Sequence, residues 1–593
     1  MASHSLDKVI RMTQFKFLPL YAALLLGTAC SQPGVKTSQP EAVATQQAAA
    51  DTAAEEAAKA KAEAAYPKLP LTPDILFKFL VAEVAGQRGA MNVAQPAYMD
   101  LARQTRDPRI ARRAAEVSMF ARNQAGALEA AQLWAAAEPD SERAQQTVVG
   151  LLLNEGKLEE AEPILHSLLK QNPANVFMQL SSLMGKIRDH QAAFAMTERL
   201  AADYPALPEA RFAVAQAAAH DGRMDVAVAA LKQADTLRPG WEPAALMRAQ
   251  ILAKTSPADA LVFMREFLVT YPDAREVRLA YARSLVSVNQ VAEARVEFTR
   301  LAKEMPGNAE VTLAAGLLAL QMDDLEAARS LLTETLEYDP RDVDMVHYYL
   351  GQVAERAKQP DVAAAHYAEV KTGNYLVPAR ARQAALLVQA GKPKEAQALL
   401  AFTHGENEAQ SVRLLQAQAE LLGDDKQYAQ AFATLSDGIK RYPDAADLYY
   451  DRAMVAEKLG KIDVLETDLR RVIVLRPDNA QAYNALGYTL ADRTSRLAEA
   501  ITLLDKALSL APNDAYILDS VGWAQYRAGN LAKAQDYLER AYALRTDPEI
   551  AAHLGEVLWA RGQRDEAGKL WQTSLQTHPQ NEVLLETTRR LNP

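Results

Sequence analysis

The sequence predicts an all-α superhelical solenoid, helix pairs stacked each on the next, and three periodicities predict it. Eleven alanines share one phase of a repeat of about 34 residues: Ala161, Ala227, Ala260, Ala294, Ala328, Ala363, Ala396, Ala431, Ala500, Ala534 and Ala567. A period of that length marks helical repeats, whose units bury their apolar faces only against neighbours. Prolines at Pro173, Pro205, Pro239, Pro272, Pro306, Pro340, Pro443, Pro477, Pro512 and Pro579 keep the same beat. Proline cannot continue a helix, so each marks a boundary. Glycines at Gly89, Gly156, Gly222, Gly391, Gly529 and Gly562 stand five residues before an alanine of this kind, and Gly460 falls in the same phase. That place suits the left-handed turn joining two helices.

The chain opens differently. Lys8, Arg11 and Lys16 precede an apolar run from Phe17 to Leu26, too short to cross a bilayer as a helix but suited to the hydrophobic region of a secretory signal. The run ends at Leu26-Gly27-Thr28-Ala29-Cys30, which holds the only cysteine. This string resembles a bacterial lipobox, in which the cysteine thiol becomes diacylglyceryl-modified; the lipobox prefers Leu where Gly27 stands. Residues 1–29 are therefore expected to be a lipoprotein signal peptide and Cys30 the lipidated residue. Acyl chains anchor stably through their buried methylenes. By the sorting rule for such lipoproteins, Ser31 in place of Asp implies the outer membrane, with the array facing the periplasm. Residues 30–71 follow as a linker rich in Ala, Gln, Glu, Thr and Ser, a composition that cannot bury enough apolar surface to offset its ordering entropy.

Residues 72–593 are expected to hold fourteen to fifteen helix pairs. Tyr483-Asn484-Ala485-Leu486-Gly487-Tyr488-Thr489-Leu490, with Ala500, Leu504, Ala507 and Pro512, resembles the tetratricopeptide repeat (TPR) consensus with one extra turn residue. Leu554-Gly555, Leu558, Gly562, Ala567, Trp571 and Pro579 fit it without insertion. The least regular stretches are Asp107 to Pro139, Tyr375 to Glu408 and the surroundings of Leu465.

The formal charge of −10 argues against nucleic acid, whose binders show a basic face. The cluster Arg103, Arg106, Arg109, Arg112 and Arg113 is interleaved with Asp100, Asp107 and Glu116 and reads as a solvated surface. Gly156-Lys157, Gly391-Lys392 and Gly460-Lys461 lack the second glycine and the hydroxyl of a phosphate loop. His347 and His366 are spaced to meet across one helix pair, but no third ligand accompanies them. No catalytic residue, metal or cofactor is expected.

In the TPR geometry the inner helix lines the concave wall. The resemblance implies that positions three before, one after and four after the Leu-Gly glycine point into the groove. Over the last repeats this selects Tyr450, Met454 and Glu457; Asn484 and Tyr488; Asp519, Trp523 and Tyr526; Glu556 and Trp559. Aromatic and Met side chains anchor partners, and the carboxylates between them favour basic or amide-rich segments. The same rings, read as ordinary helix aromatics, would pack between repeats.

Longer strings resemble one family more specifically: Leu80-Val81-Ala82-Glu83-Val84-Ala85-Gly86-Gln87-Arg88-Gly89, Asp519-Ser520-Val521-Gly522-Trp523, and Glu549-Ile550-Ala551-Ala552-His553-Leu554-Gly555-Glu556-Val557-Leu558-Trp559. They are similar to TPR-repeat outer-membrane lipoproteins of the LbcA family. The resemblance implies a non-enzymatic adaptor that binds a periplasmic carboxyl-terminal processing protease and delivers peptidoglycan hydrolases to it. A scaffold for an exopolysaccharide-secretion or envelope-assembly machine would use the same fold and anchor.

Overall fold

The structure, a computed structural model, describes Pro67 and residues 69–591. The signal peptide, Cys30 and nearly all of the linker lie outside the described residues. Within them stand 31 α-helices and no strand. Helices follow one another in pairs joined by short turns, from Pro73–Gln87 with Met91–Thr105 to Pro548–Ala560 with Arg564–Thr577, and Glu582–Leu591 closes the series. The chain groups into two compact units, one ending at Pro306 and one beginning at Gly307.

The periodic residues explain the pairing. All eleven phase alanines are buried, because each lies where the second helix of a pair crosses the first and a larger side chain would hold the backbones apart. Glycine does the same on the facing helix. A Cβ added at Gly522 would stand 2.6 Å from Leu538 Cγ and 3.2 Å from the Ala534 carbonyl oxygen, so only a bare backbone lets Ala515–Arg527 rest on Leu531–Leu544.

The turn position is left-handed whether or not glycine fills it. Gly156, Gly222, Gly529 and Gly562 have φ of 76°, 80°, 82° and 83°. Where a repeat lacks glycine, Arg122, Asn289, Asp323, Lys358 and Lys426 take its place at φ of 56° to 61°. Side chains tolerate this conformation poorly, so stacking of the two helices holds these residues there.

Burial is local, as a solenoid requires. In the first unit an apolar core runs from Ala82 to Ile251, and beyond it Met264, Phe298 and Leu301 are buried as well. The second carries a series of smaller ones, such as that from Ala446 to Ala524 and that from Ala534 to Leu584. The stretch from Tyr375 to Glu408 is irregular because the helix before it, Pro360–Glu369, and the helix within it, Pro393–Phe402, are only ten residues long. Side chains stitch the gap: Asp344 accepts from the Lys371 and Thr372 backbone N–H groups at 2.7 and 3.2 Å, and Glu406 accepts from Gly373 at 3.1 Å.

The arginine cluster is largely paired. Arg103 meets Glu129 and Arg109 meets Asp107, each at 2.6 Å, while Arg112 and Arg113 both meet Glu116. Among the described residues no helix is long and apolar enough to cross a membrane.

Candidate functional site

In the second unit the first helices of successive pairs, Ala480–Arg493, Pro548–Ala560 and between them Ala515–Arg527, lie side by side. Tyr488 on the first and His553 on the third come within 6.4 Å, ring centre to ring centre, although a whole pair separates them in sequence. Such an approach is possible only where inner helices crowd together.

The centre of this wall is His553. Its imidazole is stacked on the Trp523 indole, with centroids 4.3 Å apart and planes inclined by 24°. Its Nδ1 lies 2.9 and 3.1 Å from the two Asp519 carboxylate oxygens. Burial alone would push the imidazole pKa down, but Asp519, with Glu549 and Glu556 nearby, more than offsets it and raises the value. Glu549, one turn before His553, is itself raised by burial and by Asp547 and Asp519, against the opposing pull of His553.

The other rungs are tied to this core. Trp523 Nε1 donates to Asp492 Oδ1 at 3.3 Å. The Tyr526 hydroxyl donates to one oxygen of Glu556 at 3.2 Å, and Arg590 from the last helix donates to the other at 2.6 Å. Tyr488 is held well above the ordinary phenol range by burial and by the carboxylates of Asp492, Asp519 and Glu549.

Of the ten residues expected to line a groove, Tyr488, Asp519, Trp523, Tyr526 and Glu556 thus belong to one connected cluster. Asp519, Trp523 and Glu556 are only 7%, 9% and 5% exposed, with polar edges occupied by His553, Asp492, Tyr526 and Arg590. Trp559 stands apart, tilted against the buried Trp571 at 5.8 Å with the Arg564 guanidinium 5.0 Å over its ring. Tyr450 and Met454 are half-buried on the apolar core one pair earlier, and Glu457 is half-buried at the end of the same helix. Asn484, also half-buried, points its Oδ1 where no protein donor reaches it.

Two groups carry more of the site than the repeat offsets suggest. His553 lies outside those offsets, but it sits on the stripe Glu549, His553, Glu556, spaced four and three along one helix face, and following that stripe would have found it. Asp451, beside Tyr450, is pushed up to about 6 by burial, against the hydrogen bond that Gln416 donates at 2.7 Å. No local signal announces it, because Gln416 lies a full repeat away.

His347 and His366 do meet, with their Nδ1 atoms 3.3 Å apart, and burial lowers both pKa values. Among the described residues no group of three or more His, Cys, Asp or Glu is arranged to hold a metal ion. The half-buried rings of Tyr450 and Tyr488 and the carboxylates around them can meet a peptide surface, while the Asn484 amide oxygen stays buried without a donor.

A family model for the tetratricopeptide repeat matches residues 313–375, 450–515 and 522–582. The chain is 36% identical over 486 residues to the TPR repeat-containing protein PA4667 of Pseudomonas aeruginosa, covering 82% of each. It is 26% identical over 295 residues to the cellulose synthase 2 operon protein C of Komagataeibacter xylinus, covering 46% of this chain and 22% of that one. Among solved structures, the APC/C hetero-tetramer Cut9–Hcn1 aligns over 89% of this chain and 99% of its own, with a TM-score of 0.33 and 14% identity.

Proposed function

The chain belongs to the tetratricopeptide-repeat proteins, and from that premise we propose that it is a lipid-anchored periplasmic adaptor. Stacked TPR units make a protein–protein interaction scaffold. In our reading Cys30 carries the lipid, the outer membrane holds the anchor, and the solenoid binds a carboxyl-terminal processing protease together with the peptidoglycan hydrolases it cleaves. The observation that carries the reading is the inner wall around Tyr450, Met454, Asn484 and Tyr488, where half-buried apolar and amide groups lie among carboxylates. The lipobox string at Cys30 and the family strings at Leu80 to Gly89 and Glu549 to Trp559 support the finer assignment.

An adaptor of this kind needs no catalytic residue of its own. Holding enzyme and substrate on one chain raises their mutual local concentration to roughly millimolar, and an anchor confines both to one surface. The likeness to the cellulose synthase 2 operon protein C supports a second reading, a scaffold within an exopolysaccharide-secretion assembly. The two part on partner identity. Affinity capture of the processed protein from membranes, followed by identification of what comes with it, should return a protease and cell-wall hydrolases. Return of a synthase or an outer-membrane porin in their place favours the second reading. A purified chain that alone cleaves or modifies an envelope substrate refutes both.

A further inference from the structure

The two ends of the repeat series are finished differently. At the carboxyl-terminal end, Glu582–Leu591 buries Leu584 and Thr587 and presents Glu582, Glu586, Arg589 and Arg590 to water, the polar outer face that a terminal repeat needs. At the amino-terminal end, Pro73–Gln87 buries Ala82 and Ala85 and presents apolar side chains. Leu76, Leu80 and Val84 follow one another at four-residue steps, with Phe77 beside them, and all are exposed. Phe77 is 67% exposed. The charges of this helix turn elsewhere: Lys78 is held by Asp74 at 3.0 Å and Asp100 at 2.7 Å, and Glu83 accepts from the Tyr98 hydroxyl. The stripe continues past the start of the helix, where Leu71 is 70% exposed and Leu69 about half exposed.

We propose that this stripe is a membrane-docking surface, seated in the headgroup and acyl boundary of the bilayer that holds the anchor. The proposal rests on the reading of Cys30 as lipidated. Only 41 residues separate Cys30 from Thr72, so Pro73–Gln87 is the helix of the described solenoid tied nearest the proposed anchor along the chain. A preceding protein repeat would cover the helix alone. Here the exposed leucines run on along the chain toward the anchor, which is where the bilayer lies. The helix is apolar on both sides: one face packs inward through Ala82 and Ala85, and the other, about 100° wide, carries the exposed Leu76, Phe77, Leu80 and Val84 that the headgroup and acyl boundary would take up. Docking would give the anchor its second hydrophobic contact and set the direction in which the repeats leave the membrane.

The test uses the mature chain from Ser31 onward, which carries no acyl group, floated with vesicles of phosphatidylethanolamine and phosphatidylglycerol. The wild-type chain should float with the vesicles, and Phe77→Glu with Leu80→Glu should lower the bound fraction at least tenfold with unchanged circular dichroism, since both side chains already face water. Equal binding by the two chains, or none by either, overturns the proposal. So does a wild-type chain that sediments as a dimer while the double variant is a monomer, for a second copy would then be the occupant. Mass spectrometry of the membrane-extracted protein reports acylation of Cys30 separately, so loss of the anchor reading and loss of the docking surface are told apart.

Discussion

Replacing Asp519 with Asn should destabilise the carboxyl-terminal repeats, and far more below neutral pH than above it. Asp519 and His553 are both buried, 2.9 Å apart, on neighbouring inner helices. The folded-state pKa of His553 is raised above an unfolded value of about 6.5, so protonation favours the folded form. The pair's contribution is complete below about pH 6.5 and disappears as pH climbs through the folded-state value. Removing one member of a buried ion pair costs about 3 to 5 kcal/mol. Once the imidazole is neutral, Asn can still accept its Nδ1–H, and the loss should shrink to about 1 kcal/mol, the size of one weakened hydrogen bond. Urea unfolding at pH 6 and pH 9, followed by tryptophan fluorescence, reads this directly, because Trp523, Trp559 and Trp571 are three of the five tryptophans. Titration of the His553 ring by NMR supplies the pKa. Equal destabilisation at the two pH values, or a wild-type His553 titrating below 6.5, refutes the argument.

Three other outcomes follow from the same geometry. Lys358→Gly and Lys426→Gly, at exposed left-handed turns with φ of 58°, should each stabilise by about 1 kcal/mol by removing the Cβ strain, measured by thermal and urea unfolding; a loss of stability would place those side chains in contacts that matter. Asp451→Asn should stabilise the protein at pH 7 by about 3 kcal/mol, since a carboxyl raised to about 6 from about 3.9 disfavours folding once ionised; the advantage should vanish below about pH 3, where the carboxyl is neutral in both the folded and unfolded chain, and a gain independent of pH would contradict it. Tyr450→Ala with Met454→Ala should weaken partner capture at least tenfold while the melting temperature moves by only a few degrees, whereas Trp523→Ala should cost about 3 to 5 kcal/mol of stability as a core truncation; the reverse pattern would move the binding surface onto the Trp523 cluster.

The repeat was legible because alanine marks it directly. Every member of the series from Ala161 to Ala567 is buried, and a residue that must be small at each crossing leaves its trace at a fixed period. The turn was legible only where glycine fills it. Lys358 and Lys426 adopt the same backbone conformation with no local mark, because their φ is imposed by two helices closing on each other. The inner wall was legible in its residue types but not in its depth. The offsets around Gly522 assign a direction to Asp519 and Trp523 relative to their own helix. They do not say how closely the helix carrying His553 approaches, and that approach is what buries both residues.

Depth along the wall also decides what each residue can offer a partner. A side chain that already holds its hydrogen bonds inside the protein has nothing to add without first breaking them, and breaking a buried charged contact costs more than a new one returns. Asp519, Trp523 and Glu556 are in that position, engaged by His553, Asp492, Tyr526 and Arg590. Their cluster fixes how three inner helices sit against each other, and so fixes the curvature on which neighbouring rungs are displayed. Asn484 keeps a buried carbonyl oxygen without a donor, and Tyr450, Met454 and Tyr488 are half-buried rather than enclosed. In the adaptor reading an incoming chain lays its side chains onto the half-buried Tyr450 and Met454. On that reading the helices Ala446–Lys458 and Ala480–Arg493 are the proposed centre of recognition, with the His553 cluster beside them as the support that keeps their spacing.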